Sequence, residues 1–198
     1  MDEAKLFHQL FKNINTRIAL TEEEFSLTRK SYQVKYLKKK EIYLKKGEVC
    51  RHGAFIGKGL LRLYMIDEKG KEHVIQFAPE DGYISDMYSI LTGEPSNYQI
   101  DALEDSFLLV QERDQIESLL NKVPKFERFM RIQIQNAYIA LQRRLAANMS
   151  LTVLEKYKNF VKSYPSLVQR VPQHMIASYL GVTPESLSRA RRRIASQK

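Results

Sequence analysis

Apolar positions along the chain change period twice, from helical spacing to alternation and back. Near the start, Leu6, Phe7, Leu10 and Phe11 recur at helical spacing, which predicts a helix over residues 4–12. Thr21 and Glu24 form a capping-box pair ahead of Phe25 and Leu27, which predicts a second helix over 22–31. From residue 32 to 112 the apolar runs become short and often alternate. Residues 32–37 (YQVKYL), 41–44 (EIYL), 60–66 (LLRLYMI), 73–77 (HVIQF) and 107–110 (FLLV) are rich in branched and aromatic side chains and read as strands. Gly47, Gly53, Gly57, Gly59, Gly70, Gly82 and Gly93 read as turn punctuation between them. Strands this short, with turns this regular, predict a compact antiparallel sandwich or barrel.

Helical spacing returns after residue 112. Asp114 and Glu117 suggest a capped start. A single long helix follows over 124–148, with Phe126, Met130, Ile134, Ala137, Leu141 and Leu145 on one line and Phe129, Ile132 and Ile139 on a second. A helix apolar on two sides must be covered on two sides. The sandwich can cover one, and a second copy of the chain is expected to cover the other. Residues 150–163 predict a further helix, closed by Tyr164 and Pro165.

The final stretch, VPQHMIASYLGVTPESLSRARRRIASQK, predicts two short helices joined by a tight turn at Gly181. Pro172 and Pro184 suit first helical positions, where no amide donor is needed. Ala177 is small enough for the two helices to cross closely, and Thr183 can cap the second. At 100° per residue, Leu187, Ala190 and Ile194 form one stripe that must pack on Ile176 and Leu180. Glu185, Arg189 and Arg192 lie opposite, flanked by Ser188 and Arg193. That outward face suits a DNA major groove. Arginine pairs with guanine, a carboxylate accepts from cytosine, and hydroxyls and further arginines hold phosphates.

Charge agrees with that reading. The 198-residue chain has 32 basic and 23 acidic residues and a formal charge of +9, which favours nucleic acid over acidic protein partners. The length allows one large or two small domains. No uncharged stretch approaches the length of a membrane span, and residues 1–20 lack the apolar core of a signal peptide, so a cytoplasmic protein is expected. Cys50 is the single cysteine. It excludes an intramolecular disulfide and any cysteine-built zinc or iron–sulfur site within one chain, and is expected as a buried small residue. His8, His52, His73 and His174 lie in separate segments without metal-ligand spacing and offer no partner for a nucleophilic triad. No metal site and no catalytic residues are expected.

The order of these parts resembles the cyclic-AMP receptor protein and Fnr (Crp/Fnr) family of bacterial transcription regulators. The resemblance rests on LKKGEVC, FIGKGLLRLYMIDEKGKEHVIQF, YISDMYSILTGEPSNYQIDALEDSFLL, the long helix and IASYLGVTPESLSRARRRI. It implies an α+β architecture. A cyclic-nucleotide-binding-like antiparallel β-roll would occupy residues 1–122, a dimerisation helix 123–148 and a helix-turn-helix domain 149–198. With four residues after Ile194, no downstream wing has room. The resemblance places Glu185, Ser186, Ser188 and Arg189 at DNA-contacting positions, with Thr183, Arg192 and Arg193 beside them. The implied partners are double-stranded DNA, a second copy and RNA polymerase.

The sensor segment departs from the family pattern. Members that bind cyclic nucleotide carry Gly-Glu for the ribose and Arg-Ser or Arg-Thr for the cyclic phosphate. Here Ser85-Asp86 and Ser96-Asn97 stand in those places, so the phosphate arginine is missing. An enclosed phosphate without its charged partner costs about 1.5–3 kcal/mol or more. Cyclic AMP is therefore not expected as the effector. No cofactor is expected, and the effector is unknown. Arg62 and Tyr64, on a neighbouring strand, complete the pocket candidates, and Arg62 could substitute for the missing cation. His73, Gln76, Tyr88 and Tyr98 lie near the same place by this alignment, and haem through His73 would rest on one residue. The competing class is a non-enzymatic signalling or scaffold protein whose basic tail binds a protein or RNA. An enzyme in the roll has no nucleophile or acid–base pair to support it.

Overall fold

Two side-chain caps open the chain. Asp2 accepts from the Ala4 amide and starts α1 (Glu3–Asn15). Thr21 and Glu24 exchange hydrogen bonds with each other's amides and start α2 (Glu22–Lys30), the anticipated capping box. The structure, a computed structural model, describes residues 2–196.

Strands β1 (Gln33–Leu37), β2 (Ile42–Leu44), β3 (His52–Lys58), β4 (Leu61–Ile66), β5 (Glu72–Ala78) and β6 (Tyr83–Ile84) follow. After them come α3 (Met87–Thr92), β7 (Gln99–Ala102) and β8 (Ser106–Glu112). They form two sheets, ordered β1-β8-β3-β6 and β2-β7-β4-β5, with antiparallel pairing such as Phe55 opposite Leu109 and Leu63 opposite Ile100. The fold class is the expected one, an antiparallel roll with helices.

Three strands, β3, β6 and β7, lie outside the predicted runs. In β3 the residues 54–57 are buried in succession, so no alternation marks the strand. Gly53 and Gly57, read as turns, lie inside it. Gly57 is there for close approach: a Cβ at this position would sit 1.8 Å from Leu6 Cδ1 of α1. Helix α1 can settle on this sheet because Gly57 places no side chain beneath Leu6.

Helix α4 (Arg113–Lys122) begins without the side-chain cap expected from Asp114 and Glu117. The strand β8 runs straight into it, and the Arg113 amide donates to Arg51 O at 2.9 Å instead. The long helix α5 (Lys125–Ser150) starts in the core of the roll. Phe126 and Phe129 pack with Leu6, Leu10, Ile14, Phe55, Leu109 and Val123. Met130 packs against the same cluster at its edge. Burial of each large side chain contributes about 1.5–3 kcal/mol.

The chain divides into two compact units. One contains the residues up to Met65 and Gln76–Gln135, and the other Ile66–Ile75 and the residues from Asn136 on. In the second unit Thr152 and Glu155 form a capping box, unpredicted, that starts α6 (Val153–Ser163). Helices α7 (Leu167–Arg170), α8 (Gln173–Tyr179) and α9 (Pro184–Ala195) follow, with Tyr157, Phe160, Leu167, Ile176 and Leu187 buried among them. Among the described residues no strand follows β8.

Four tyrosines give the fold an alkaline limit. Burial raises Tyr32, Tyr43, Tyr83 and Tyr179 above the ordinary tyrosine value of 10.0. A raised folded-state value means the stabilisation is complete below pH 10 and is lost progressively as pH rises beyond it, because only the unfolded phenol ionises easily. Phenolate absorbance is expected to show these four titrating together with loss of circular dichroism, not ahead of it.

Candidate nucleic-acid interface and roll pocket

The C-terminal helices derive their geometry from local chemistry. The Val182 amide donates to Ala177 O at 3.0 Å and the Gly181 amide to Ser178 O at 3.1 Å, which turns the chain sharply after α8. Gly181 has φ +65°, the left-handed conformation in which a side chain is strained. Thr183 then caps α9, accepting from the Ser186 amide at 3.2 Å, and Pro184 takes the first helical position. Ile176 and Ala177 of α8 are fully buried, and α9 packs on both α8 and α6 through Leu187 and Ala190. Ile194, half-buried, continues that stripe.

The opposite face of α9 is open. Glu185, Ser188, Arg189, Arg192 and Arg193 are all exposed. The Glu185 carboxyl is held below the ordinary carboxylate value by its own amide, the Thr183 hydroxyl and the nearby Arg189 cation, so it is an ionised acceptor. Ser186 differs from the others. It is half-buried, accepts from the Thr183 hydroxyl at 3.1 Å and lies 3.4 Å from Arg189 Nη2. It belongs to the cap and steadies Arg189 from behind.

The roll residues fall into two separate networks. Asp86 and Ser96 are buried and bonded to each other, with Ser96 Oγ donating to Asp86 Oδ2 at 2.6 Å. Asp86 Oδ1 meanwhile caps α3, accepting from the Tyr88 and Ser89 amides at 3.1 and 3.3 Å. Ser96 Oγ also bonds the main chain of Tyr98. The second network is on adjacent strands. Arg62 of β4 makes a two-pronged ion pair with Asp101 of β7, Nε to Oδ1 at 2.8 Å and Nη2 to Oδ2 at 2.9 Å. Its guanidinium lies 3.9 Å from the centre of the Tyr64 ring, and Tyr64 in turn accepts from Gln99 at 2.7 Å.

Other candidates are dispersed. Ser85 is half-buried and Asn97 exposed. Gln76 donates to Tyr83 O, Tyr88 donates to Glu94, and His73 pairs with Asp67 at 2.8 Å. Cys50 is buried as expected, and burial pushes its thiol up. Among the described residues no cluster of histidine, cysteine, aspartate and glutamate could hold a metal ion, and no helix is long and apolar enough to cross a membrane.

Residues 34–123 match the family model of the cyclic nucleotide-binding domain. Most of the chain is similar in fold to solved structures of low sequence identity. FixK2 from Bradyrhizobium japonicum is 16% identical with a TM-score of 0.74, covering 84% of this chain and 85% of FixK2. The fold is that of the Crp/Fnr regulators. The global regulator CLP of Xanthomonas campestris, described as responsive to c-di-GMP, is 10% identical with a TM-score of 0.70, covering 89% and 93%. The Thermus thermophilus catabolite activator protein is 18% identical with a TM-score of 0.55, covering 98% and 87%. A search of curated protein sequences finds no match.

Sequence reasoning did not find Asp101 as the partner of Arg62 in this Crp/Fnr fold. A single sequence carries no signal for that pairing, because 39 residues separate the two and only the strand order brings them together.

Proposed function

We propose that the protein is a homodimeric transcription regulator that reads an inverted-repeat DNA site and does not use cyclic AMP as its effector. The observation that carries this is α9: a capped helix with one buried stripe and an exposed opposite face of Glu185, Ser188, Arg189 and Arg192. Such a face matches the depth and donor–acceptor pattern of a major groove. Arg189 and Glu185 read bases, while Arg192 and Arg193 hold phosphates. The Asp86–Ser96 and Arg62–Asp101 bonds support a roll that does not take cyclic AMP, since each satisfies a group that a nucleotide would otherwise need. The expected partners are DNA, a second copy and RNA polymerase.

The test is binding to genomic fragments in the presence of excess competitor DNA, followed by two variants on the site recovered. Arg189→Ala is expected to cost about 1–3 kcal/mol and relax preference at one base pair per half-site. Arg193→Ala is expected to weaken all sequences alike and flatten the salt dependence. A chain that binds without sequence preference, or an Arg189→Ala variant with unchanged specificity, would overturn the base-reading assignment in favour of a scaffold whose basic tail binds protein or RNA.

A further inference from the structure

We propose that the tip of the β4–β5 hairpin is a latch on the DNA-reading helices, with Ser178 as its positioning residue; this rests on the reading of α9 given above. Residues 66–75 belong to the same compact unit as the C-terminal helices, although β4 and β5 are sheet strands. The tip is stiff. Asp67 Oδ1 accepts from the Lys69 and Lys71 amides at 2.9 Å each, and Oδ2 meets His73 Nε2 at 2.8 Å. The Asp67 amide donates to Lys71 O at 3.0 Å across the turn.

Ser178, in α8, uses its hydroxyl twice on this hairpin. It accepts from the Val74 amide at 2.9 Å and donates to Glu72 O at 3.0 Å, much as a neighbouring strand residue would. Arg144 of α5 adds a third tie by donating to Ile75 O, while its guanidinium lies 5.3 Å from the Tyr179 ring centre. All three bonds go to main-chain groups. What is recognised is the path of the backbone over residues 72–75, whatever side chains it carries. A helical serine ordinarily bonds back to its own helix or to water, and alanine would be the better helix former here.

The latch sits at the point of greatest leverage. Ser178 and Tyr179 directly precede the turn at Gly181, and the Ser178 carbonyl itself accepts the Gly181 amide. A displaced hairpin backbone therefore acts on the turn that sets the direction of α9. The reading residues Glu185, Ser188, Arg189 and Arg192 stay exposed while the latch is closed. The latch positions the reading helix and does not cover it.

The experiment compares the full chain with Ser178→Ala, which removes both bonds, and Ser178→Thr, which keeps the hydroxyl. Amide hydrogen exchange at Val74 is expected to accelerate roughly tenfold in Ser178→Ala and to return in Ser178→Thr, the scale for one or two lost hydrogen bonds. Binding to the inverted repeat is expected to weaken by roughly fivefold to tenfold in Ser178→Ala, with affinity for a single half-site unchanged. Unchanged Val74 exchange would overturn the latch. Equal loss on half-site and inverted repeat would overturn its positioning role, since a damaged helix weakens both. A wild-type chain without sequence preference would remove the DNA-reading function, and Val74 exchange would then decide the latch by itself.

Discussion

Replacing Leu141 by aspartate is expected to leave a folded monomer that binds the inverted repeat at least about a hundredfold more weakly than wild type. The expectation comes from the exposed half of α5. Ile134, Tyr138, Leu141 and Leu145 follow one another at alternating steps of four and three and are 48%, 60%, 53% and 55% exposed. That spacing is a coiled-coil seam. A stripe of this kind on a 26-residue helix is expected to be covered by its own copy, because an isologous pairing of two identical seams closes on itself. Burying each leucine or isoleucine contributes about 1.5–3 kcal/mol, and an unpaired carboxylate in the seam reverses that sign. A hundredfold change corresponds to about 2.8 kcal/mol, within what one such substitution does. Sedimentation and DNA-binding measurements on the same samples check it. Met130 is the wrong place for this substitution despite its helical register, since it packs on the roll core with Phe126 and Phe129. Loss of dimer and of operator binding should coincide, with half-sites about one DNA turn apart, roughly 34 Å. A monomeric wild-type protein that binds a single half-site tightly would defeat the proposal.

How much of this was legible beforehand depended on how local the responsible physics is. The turn at Gly181, the caps at Thr21 and Thr183, and the buried stripe of α9 are set within a few residues, and the sequence patterns for them matched the structure. The long helix was legible too, to within two residues at either end, because its period is sustained. Strand β3 was not legible, since it is buried continuously and its glycines imitate turns. The reason for Gly57 lies 51 positions away in Leu6, beyond any local pattern. The hydrogen-bond networks of the roll were not legible for the same reason. Arg62, Asp86 and Ser96 are buried in the roll, and their hydrogen-bond partners are fixed by strand order and by the short helix α3, which is too brief to show a period. Nothing in the local sequence marks Ser178 and Arg144, because the groups they hold belong to a distant hairpin backbone.

The Arg62–Asp101 pair bears on what an arginine in this roll can do. The sequence left Arg62 as a substitute for the missing phosphate cation. In the structure its guanidinium side chain is only 6% exposed and forms two parallel bonds with Asp101 while lying over Tyr64. To serve a cyclic phosphate it would have to abandon a buried carboxylate, and a buried charge stripped of its partner costs several kcal/mol. Arg62→Met is accordingly expected to destabilise the protein by about 3–5 kcal/mol, read as a lower denaturant midpoint, because Asp101 is left buried without its counter-charge. The double variant Arg62→Met with Asp101→Leu is expected to recover most of that loss, since an apolar pair needs no counter-charge. A small effect of the single substitution would show that water or another group reaches Asp101. Calorimetric titration of the wild-type chain supplies the functional half: neither cyclic AMP nor cyclic GMP is expected to give heat at millimolar concentration. Low-micromolar binding would mean that the pair opens, and that this roll has moved its phosphate cation from the loop at Ser96 and Asn97 to strand β4.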